Sequence, residues 1–459
     1  MSEEATLDEF ADSSDSADTQ KRLESRFWGE IPDHWELVNG SDVYEVNPNL
    51  KPNEEPNAYI EMDALDTELP YPEYFGERNA SEYSGKTFTK GDTLFARITP
   101  CTENGKAALV PEMDTEVGIG STEYAVLSPR TDRIDPWLLY YLSKSHPVHN
   151  YAVSRMRGST GRQRVPFSVF RRELDIALPP LSEQRKIATV LYTVDQAIEK
   201  TEEIIDKRGE IRRGLMQDIF RYGVDSDGEL RSSGNDAYQE TKYGVTPKGW
   251  KILPLKNTVA DDASITYGIV KPGDHYPGGV PVVKVENITN GEVQANNLLH
   301  TDPEIHEKYD RAELKEDDLL FTIRGTVGRM AFVPECLEGG NLTQDTARIR
   351  VKNANSEFVR YYLETATPNN YFERHTKGQA VQGINLEDLQ QVPVHLPSRE
   401  EQERIVGILD SHTKQIQNER EYHKQLQRLK RGLMQDLLSG RVRTADTDIK
   451  VLSEVASRG

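Results

Sequence analysis

The chain has 459 residues, 36% of them hydrophobic and 29% charged, with a formal net charge of -20. That length exceeds what one hydrophobic core fills, so two or more domains are expected. No apolar run approaches the roughly 18 to 20 residues that would span a bilayer. The opening MSEEATLDEFADSSDSADTQ is acidic where a signal peptide needs a basic patch and an apolar stretch, so the cytoplasm is the expected location.

In chain order, residues 1–25 read as a disordered acidic tail and residues 26–180 as a first mixed α/β globule. Within it DTLFARI (92–98), KAALV and EYAVLS read as strands, and a helix starts at Asp135-Pro136 behind an N-cap oxygen. The hairpin-like ARITPCTENGKAA (96–108) sets Arg97 and Lys106 beside a turn glycine. The stretch RMRGSTGRQRVPFSVFRR (155–172) carries Arg155, Arg157, Arg162, Arg164, Arg171 and Arg172 with no acidic residue. Such an island in an acidic chain reads as a glycine-permitted loop laying arginines on phosphates and base edges. The plainer alternative is an Arg-rich loop that neutralises nearby carboxylates.

LPPLSEQRKIATVL (178–191) then opens a long helix over 181–222. Ile187, Leu191, Val194, Ile198, Ile205, Leu215 and Ile219 fall on a 3,4 spacing, with Thr201, Arg208 and Arg212 in the gaps. That is a coiled-coil seam on a rod of about 60 Å. Residues 223–242 read as a flexible linker and 243–397 as a second globule, with strands at PVVKV, DLLFTI, MAFV and TARIRV and a helix from Ser356. IRGTVGRMAF (323–332) presents Arg324 and Arg329 beside turn glycines, and RHTKGQAVQGIN (374–385) offers Lys377, Gln379 and Gln382. Gln suits adenine edges and Arg guanine edges. A second long helix follows over 398–440, its seam Ile405, Leu409, Ile416, Leu426, Leu433 and Leu437 broken by His412, Glu419, His423 and Lys430. Neither seam is apolar enough to be at ease alone, so the two helices are expected to pair within the chain. Residues 441–459 read as a tail.

The phrase RGLMQD occurs at 213–218 and again at 431–436. Pro179, Glu183, Gln184, Ile187 and Leu191 answer Pro397, Glu401, Gln402, Ile405 and Leu409. Farther upstream IPDHW (31–35) answers TPKGW (246–250), DTLFARI answers DLLFTIR, and WLLYYL (137–142) answers FVRYYL (358–363). Flanking matches at a nearly constant offset mark an internal duplication. Gly214 and Gly432 cost a helix interior roughly 1 kcal/mol against Ala. They point either to close approach by a partner or to a kink near the helix end, and with Leu215, Met216, Leu433 and Met434 they are candidate partner-binding residues.

Catalytic signatures are missing from this reading. There is no phosphate loop, strand-linked GxGxxG, GxSxG elbow or HExxH, and no [DN]PP[YF] loop. Cys101 and Cys336 stand outside any CxxC, and His146 and His149 have no neighbouring ligands in sequence, so no metal site is expected. Binding is the expected role. A net charge of -20 argues against nucleic acid taken alone, and it keeps open a coiled-coil adaptor whose globules bind proteins.

Globule, helix, globule, helix, with the LPP(L)xEQ helix openings and RGLMQD helix ends, resembles the specificity subunit of type I restriction-modification systems over about residues 27 to 442. The resemblance implies two target-recognition domains, each reading one half of an asymmetric bipartite site on double-stranded DNA. It also implies an antiparallel coiled coil that sets the spacer, two adenine-N6 methyltransferase subunits docked on this scaffold, and restriction subunits that join to make the nuclease. It implies no catalysis and no cofactor in this chain, with S-adenosylmethionine in the methyltransferase and ATP and Mg in a restriction subunit. The uniformly acidic composition, with Arg exceeding Lys, resembles that of haloarchaeal proteins, whose surface carboxylates keep them hydrated in salt.

Overall fold

A computed structural model describes residues 23–25, 27–52, 56–81, 84–159, 161–231, 237–377 and 382–456. The chain divides into two compact units, Met1–Glu203 with Arg420–Gly459, and Ile204–Glu419. The long helices are therefore not separate elements. Each contributes one half to the core of each unit.

In the first unit an antiparallel sheet runs Tyr44–Val46, Tyr124–Pro129, Thr93–Ala96, Ala107–Leu109 in spatial order. A second runs Gly76–Arg78, Asn57–Ile60, Gly118–Gly120, Lys86–Phe88, with its two middle strands parallel. Glu36–Asn39 pairs with Asp175–Leu178 and closes the unit onto the long helix Leu181–Tyr222. The second unit repeats the plan. Thr266–Tyr267, Thr346–Ile349, Leu319–Thr322 and Met330–Phe332 form the antiparallel sheet, and Leu299–Thr301, Val280–Val283 and Asn341–Leu342 the mixed one. Lys251–Pro254 pairs with Pro393–Leu396 ahead of the helix Arg399–Leu438.

The expected strands form, and so do the helices Pro136–Lys144 and Ser356–Leu363. Asp135 caps the first by accepting from the amides of Trp137 and Leu138, while the cap of the second is Asn355, one residue before the expected start. A single helix was expected at each place, but a second follows, His146–Ser154 and Ala366–His375.

The repeated Glu-Gln pair at each long-helix opening explains its own recurrence. Glu183 accepts from Trp35 Nε1 at 3.2 Å, and Glu401 from Trp250 Nε1 at 3.2 Å. Gln184 Oε1 accepts from the Asp135 amide and Gln402 Oε1 from the Asn355 amide, both at 2.8 Å. One glutamine thus ties the start of the long helix to the start of the short one, and the buried donors are satisfied.

The two long helices run antiparallel. In the first unit Asp195 meets Lys430 at 2.6 Å and, seven residues on, Glu202 meets His423 at 3.0 Å seven residues back. In the second, Arg208 meets Glu419 at 3.5 Å and Arg212 donates to Thr413 at 3.0 Å. Arg208 and Glu419, which interrupt the two seams, thus meet each other, while Arg212, His423 and Lys430 find polar partners on the opposite helix, so the pairing is set by charge as well as by Ile187, Leu191, Ile198, Ile405 and Leu409, all fully buried.

Two readings are corrected. Residues 444–456 are not a free tail: the Thr444 amide donates to Glu183, Trp137 Nε1 donates to the Glu454 carbonyl, and Val455 is buried in the first core. Nor is 223–242 a plain linker. Val224 is buried, Arg231 pairs with Glu401, and Tyr238–Thr241 forms a hairpin with Gly244–Pro247.

Candidate nucleic-acid interface

The arginine island folds back on itself and then onto the Arg97 hairpin. Arg157 and Arg164 exchange backbone hydrogen bonds at 2.9 Å, the Val165 amide donates to the Arg97 carbonyl at 2.8 Å, and the Thr99 amide to the Gln163 carbonyl at 3.0 Å. Arg97, Arg157, Arg162 and Arg164 are thereby gathered on one surface. Positive φ at Gly158 (136°) and Gly161 (80°) makes the reversal possible, and a Cβ at 158 would lie 2.6 Å from the Arg162 carbonyl.

The island has no carboxylate of its own, but the fold supplies two. Glu123 takes Arg164 at 2.8 Å and Arg97 at 3.4 Å, and Glu173 takes Arg155 at 2.9 Å. Arg157 and Arg162 are exposed and form no ion pair among the described residues. Lys106 donates to the Met62 carbonyl at 3.3 Å, which turns it toward its own unit.

Three residues outside the expected set belong here. The Phe167 ring carries Arg97 at 4.1 Å, Lys86 at 5.0 Å and Arg171 at 5.7 Å from its centroid. Cation–π attraction offsets part of the repulsion among those cations. Burial, then Arg97 and Arg171, hold the Lys86 ammonium below the usual lysine range. Gln163 is the third, half-buried beside Thr99.

The second unit builds the same backbone frame from different residues. Lys377 and Gly383 exchange backbone hydrogen bonds, the Ile384 amide donates to the Ile323 carbonyl at 2.9 Å, and the Gly325 amide to the Gln382 carbonyl at 3.0 Å. Bond by bond, Gln382 therefore stands where Gln163 stands and Lys377 where Arg157 stands, a correspondence the loop sequences alone leave open. Asp345 replaces Glu123, 3.9 Å from an exposed Arg324. Arg329 donates to the Ile288 carbonyl at 3.4 Å, Lys377 and Gln382 are exposed, and Gln379 lies outside the described residues.

The RGLMQD residues divide. Met216 is buried and Leu215 half-buried in the second core, while Leu433 and Met434 are half-buried against the first. A Cβ built on Gly214 or Gly432 would meet nothing within 4 Å, so none of the described residues requires either glycine. Among the described residues no His, Cys, Asp and Glu cluster could hold a metal ion, and no helix is long and apolar enough to cross a membrane.

A scaffold made twice, with two different sets of loop side chains on the same frame, is the layout of a two-site recognition protein. The chain belongs to the type I restriction-modification DNA specificity family, whose domain model matches residues 32–207 and again 270–428. It is similar to the type I restriction enzyme EcoBI specificity subunit of Escherichia coli, 30% identical over 257 residues that cover 53% of this chain and 54% of that one. It is also similar to the MjaVIII specificity subunit of Methanocaldococcus jannaschii, 23% identical over 90% of this chain and 94% of that one. Among solved structures, a chain from a study of complex assembly and conformational transition in a type I system superposes with a TM-score of 0.55 at 22% identity, covering 90% of this chain and 99% of that one. The chain is accordingly a DNA specificity subunit, the non-catalytic member of its system.

Proposed function

We propose that each unit reads one half of an asymmetric bipartite site on double-stranded DNA, and that the paired helices fix the unread gap. The supporting observation is the matched loop frame: matching backbone hydrogen bonds carry Arg157, Gln163 and Arg164 in one unit and Lys377, Gln382 and Gly383 in the other, with Arg162 and Arg324 exposed on the same loops. Frames of one shape holding different donors fit half-sites of different sequence. Two adenine-N6 methyltransferase subunits dock through the repeated helix ends around Gly214, Leu215 and Met216 and around Gly432, Leu433 and Met434, with restriction subunits joining where the system cleaves. S-adenosylmethionine, ATP and Mg are used by those partners. The setting is the cytoplasm, salt-rich in keeping with the acidic surface.

Co-expression with the methyltransferase of the neighbouring reading frame, followed by single-molecule mapping of N6-methyladenine, tests this reading. A split motif with a fixed gap is expected. Replacing Arg157 and Arg162 by Ala should abolish or relax methylation of sites defined by one half. A well-formed complex that leaves the host DNA unmodified would overturn it.

A further inference from the structure

Each unit carries a groove at the same place in its fold, outside the loop surface. In the first unit it is a cavity of about 590 Å³ whose apolar walls include Trp28 and Met434, with Lys144, His146, Arg431 and Arg441 among its lining. In the second it holds about 470 Å³ between Phe220 and Tyr243, with Gln217, Arg221, Thr367 and His395. The three segments that build them correspond. WGEIP answers YGVTP, the start of the helix His146–Ser154 answers that of Ala366–His375, and both grooves end on the repeated RGLMQD helix turn, at Gln435 and Gln217.

Neither lining contains a carboxylate, in a chain with 76 acidic residues against 56 basic ones. Each has an aromatic wall (Trp28, Tyr243), a glutamine and at least one arginine. The second also has an unsatisfied polar atom: His395 is 4% exposed, its Nδ1 lies 3.3 Å from the Thr246 hydroxyl, and its Nε2 has no hydrogen-bond partner among the described residues. Buried ring nitrogens are normally satisfied. Apolar lining beside the exposed Arg431 in one groove and the exposed Arg221 in the other matches a chain segment with an apolar anchor next to a carboxylate.

We infer that these two grooves, rather than the helix ends alone, each receive one acidic, apolar-anchored segment of a methyltransferase subunit. The inference rests on the docking of two such subunits proposed above. Duplication of the groove matches duplication of the partner.

The test uses the full chain and the neighbouring methyltransferase, titrated and weighed by native mass spectrometry, with circular dichroism melting as the folding control. The unaltered chain should take two copies. Arg431→Glu with Arg441→Glu should weaken one position at least tenfold, and Arg221→Glu should weaken the other several-fold, all variants melting as the parent does. Variants that bind both copies within twofold of the parent would overturn the groove assignment and leave partner docking standing. A parent chain that binds no methyltransferase would instead remove the docking reading, and the grooves with it.

Discussion

Asp92 and Asp318 occupy the same turn of the two units and meet different neighbours. Each accepts a backbone hydrogen bond across its turn, from the Thr89 amide at 2.9 Å and the Lys315 amide at 2.8 Å, and each is 1% exposed. The register of the central strands then places Ser128 beside Asp92 and Arg350 beside Asp318. Arg350 closes a two-pronged pair on Asp318, both bonds 2.7 Å, whereas Asp92 has a hydroxyl. The loop surfaces differ in the same way, a shared Glu123 between two arginines in one unit and an exposed Arg324 near Asp345 in the other. Backbone bonds keep the scaffold common to both units, and the charges carried on it are free to diverge.

The largest expected break in that comparison is Arg350→Ala. It leaves a buried carboxylate without its cation and should cost about 3–5 kcal/mol. Ser128→Ala at the matching position removes one hydrogen bond and should cost about 1 kcal/mol. Hydrogen exchange of Leu319–Thr322 against that of Thr93–Ala96 reports the two units separately, and equal losses of protection would contradict the difference drawn here.

The loop surfaces supply the next largest contrast. If the proposed DNA reading holds, Arg157→Ala with Arg162→Ala removes two phosphate neutralisers and should flatten the slope of log affinity on log salt by about 1.8, and Lys377→Ala by about 0.9. The measurement is a salt titration of binding to the mapped site. Slopes unchanged in both variants would take these residues off the phosphates.

Asp92 itself gives a pH dependence. Burial raises its carboxyl from 3.8 to about 7. A folded-state pKa above the unfolded one means that the neutral form is preferred in the fold. Its contribution is therefore complete below about pH 4 and is lost as pH rises through 7. Asp92→Asn keeps an acceptor for the Thr89 amide and removes the charge, so the variant should gain melting temperature relative to the parent as pH goes from 5 to 8. A constant gap across that range would show that Asp92 stays neutral or is solvated.

Much of this was legible beforehand because it is written in contiguous or periodic residues. The duplication, the strands DTLFARI and DLLFTI, and both helical seams depend on spacing alone. The arginine island was legible as charge, but its neutralisers were not, since Glu123 lies on a turn between strands and Glu173 follows the island by one residue. Lys86 and Phe167 meet only because the mixed sheet carries Lys86 to the loop, which no local pattern encodes. The polar gaps in the seams were visible one by one. Their pairing, Lys430 with Asp195 and Arg208 with Glu419, needed the antiparallel register. Composition misread residues 444–456, whose anchors are single contacts to Glu183 and Trp137 rather than an apolar run.

The smallest expected effect bears on the residues that repeat most faithfully. Gly214 and Gly432 lie in long-helix interiors with open space where a Cβ would be, so replacing either by Ala should stabilise the free chain, by roughly 0.5–1 kcal/mol, through helix propensity alone. The gain should be alike in both units, because among the described residues neither glycine has a neighbour to distinguish them. A partner helix seated on that face would reverse the sign in the complex, since the added methyl then meets backbone. Chemical denaturation of the free chain and titration with the methyltransferase separate the two effects. Stabilisation with unchanged docking would make the glycines incidental features of two helix ends. Stabilisation with weakened docking would make them the reason that both ends kept the phrase RGLMQD while the loops around them changed.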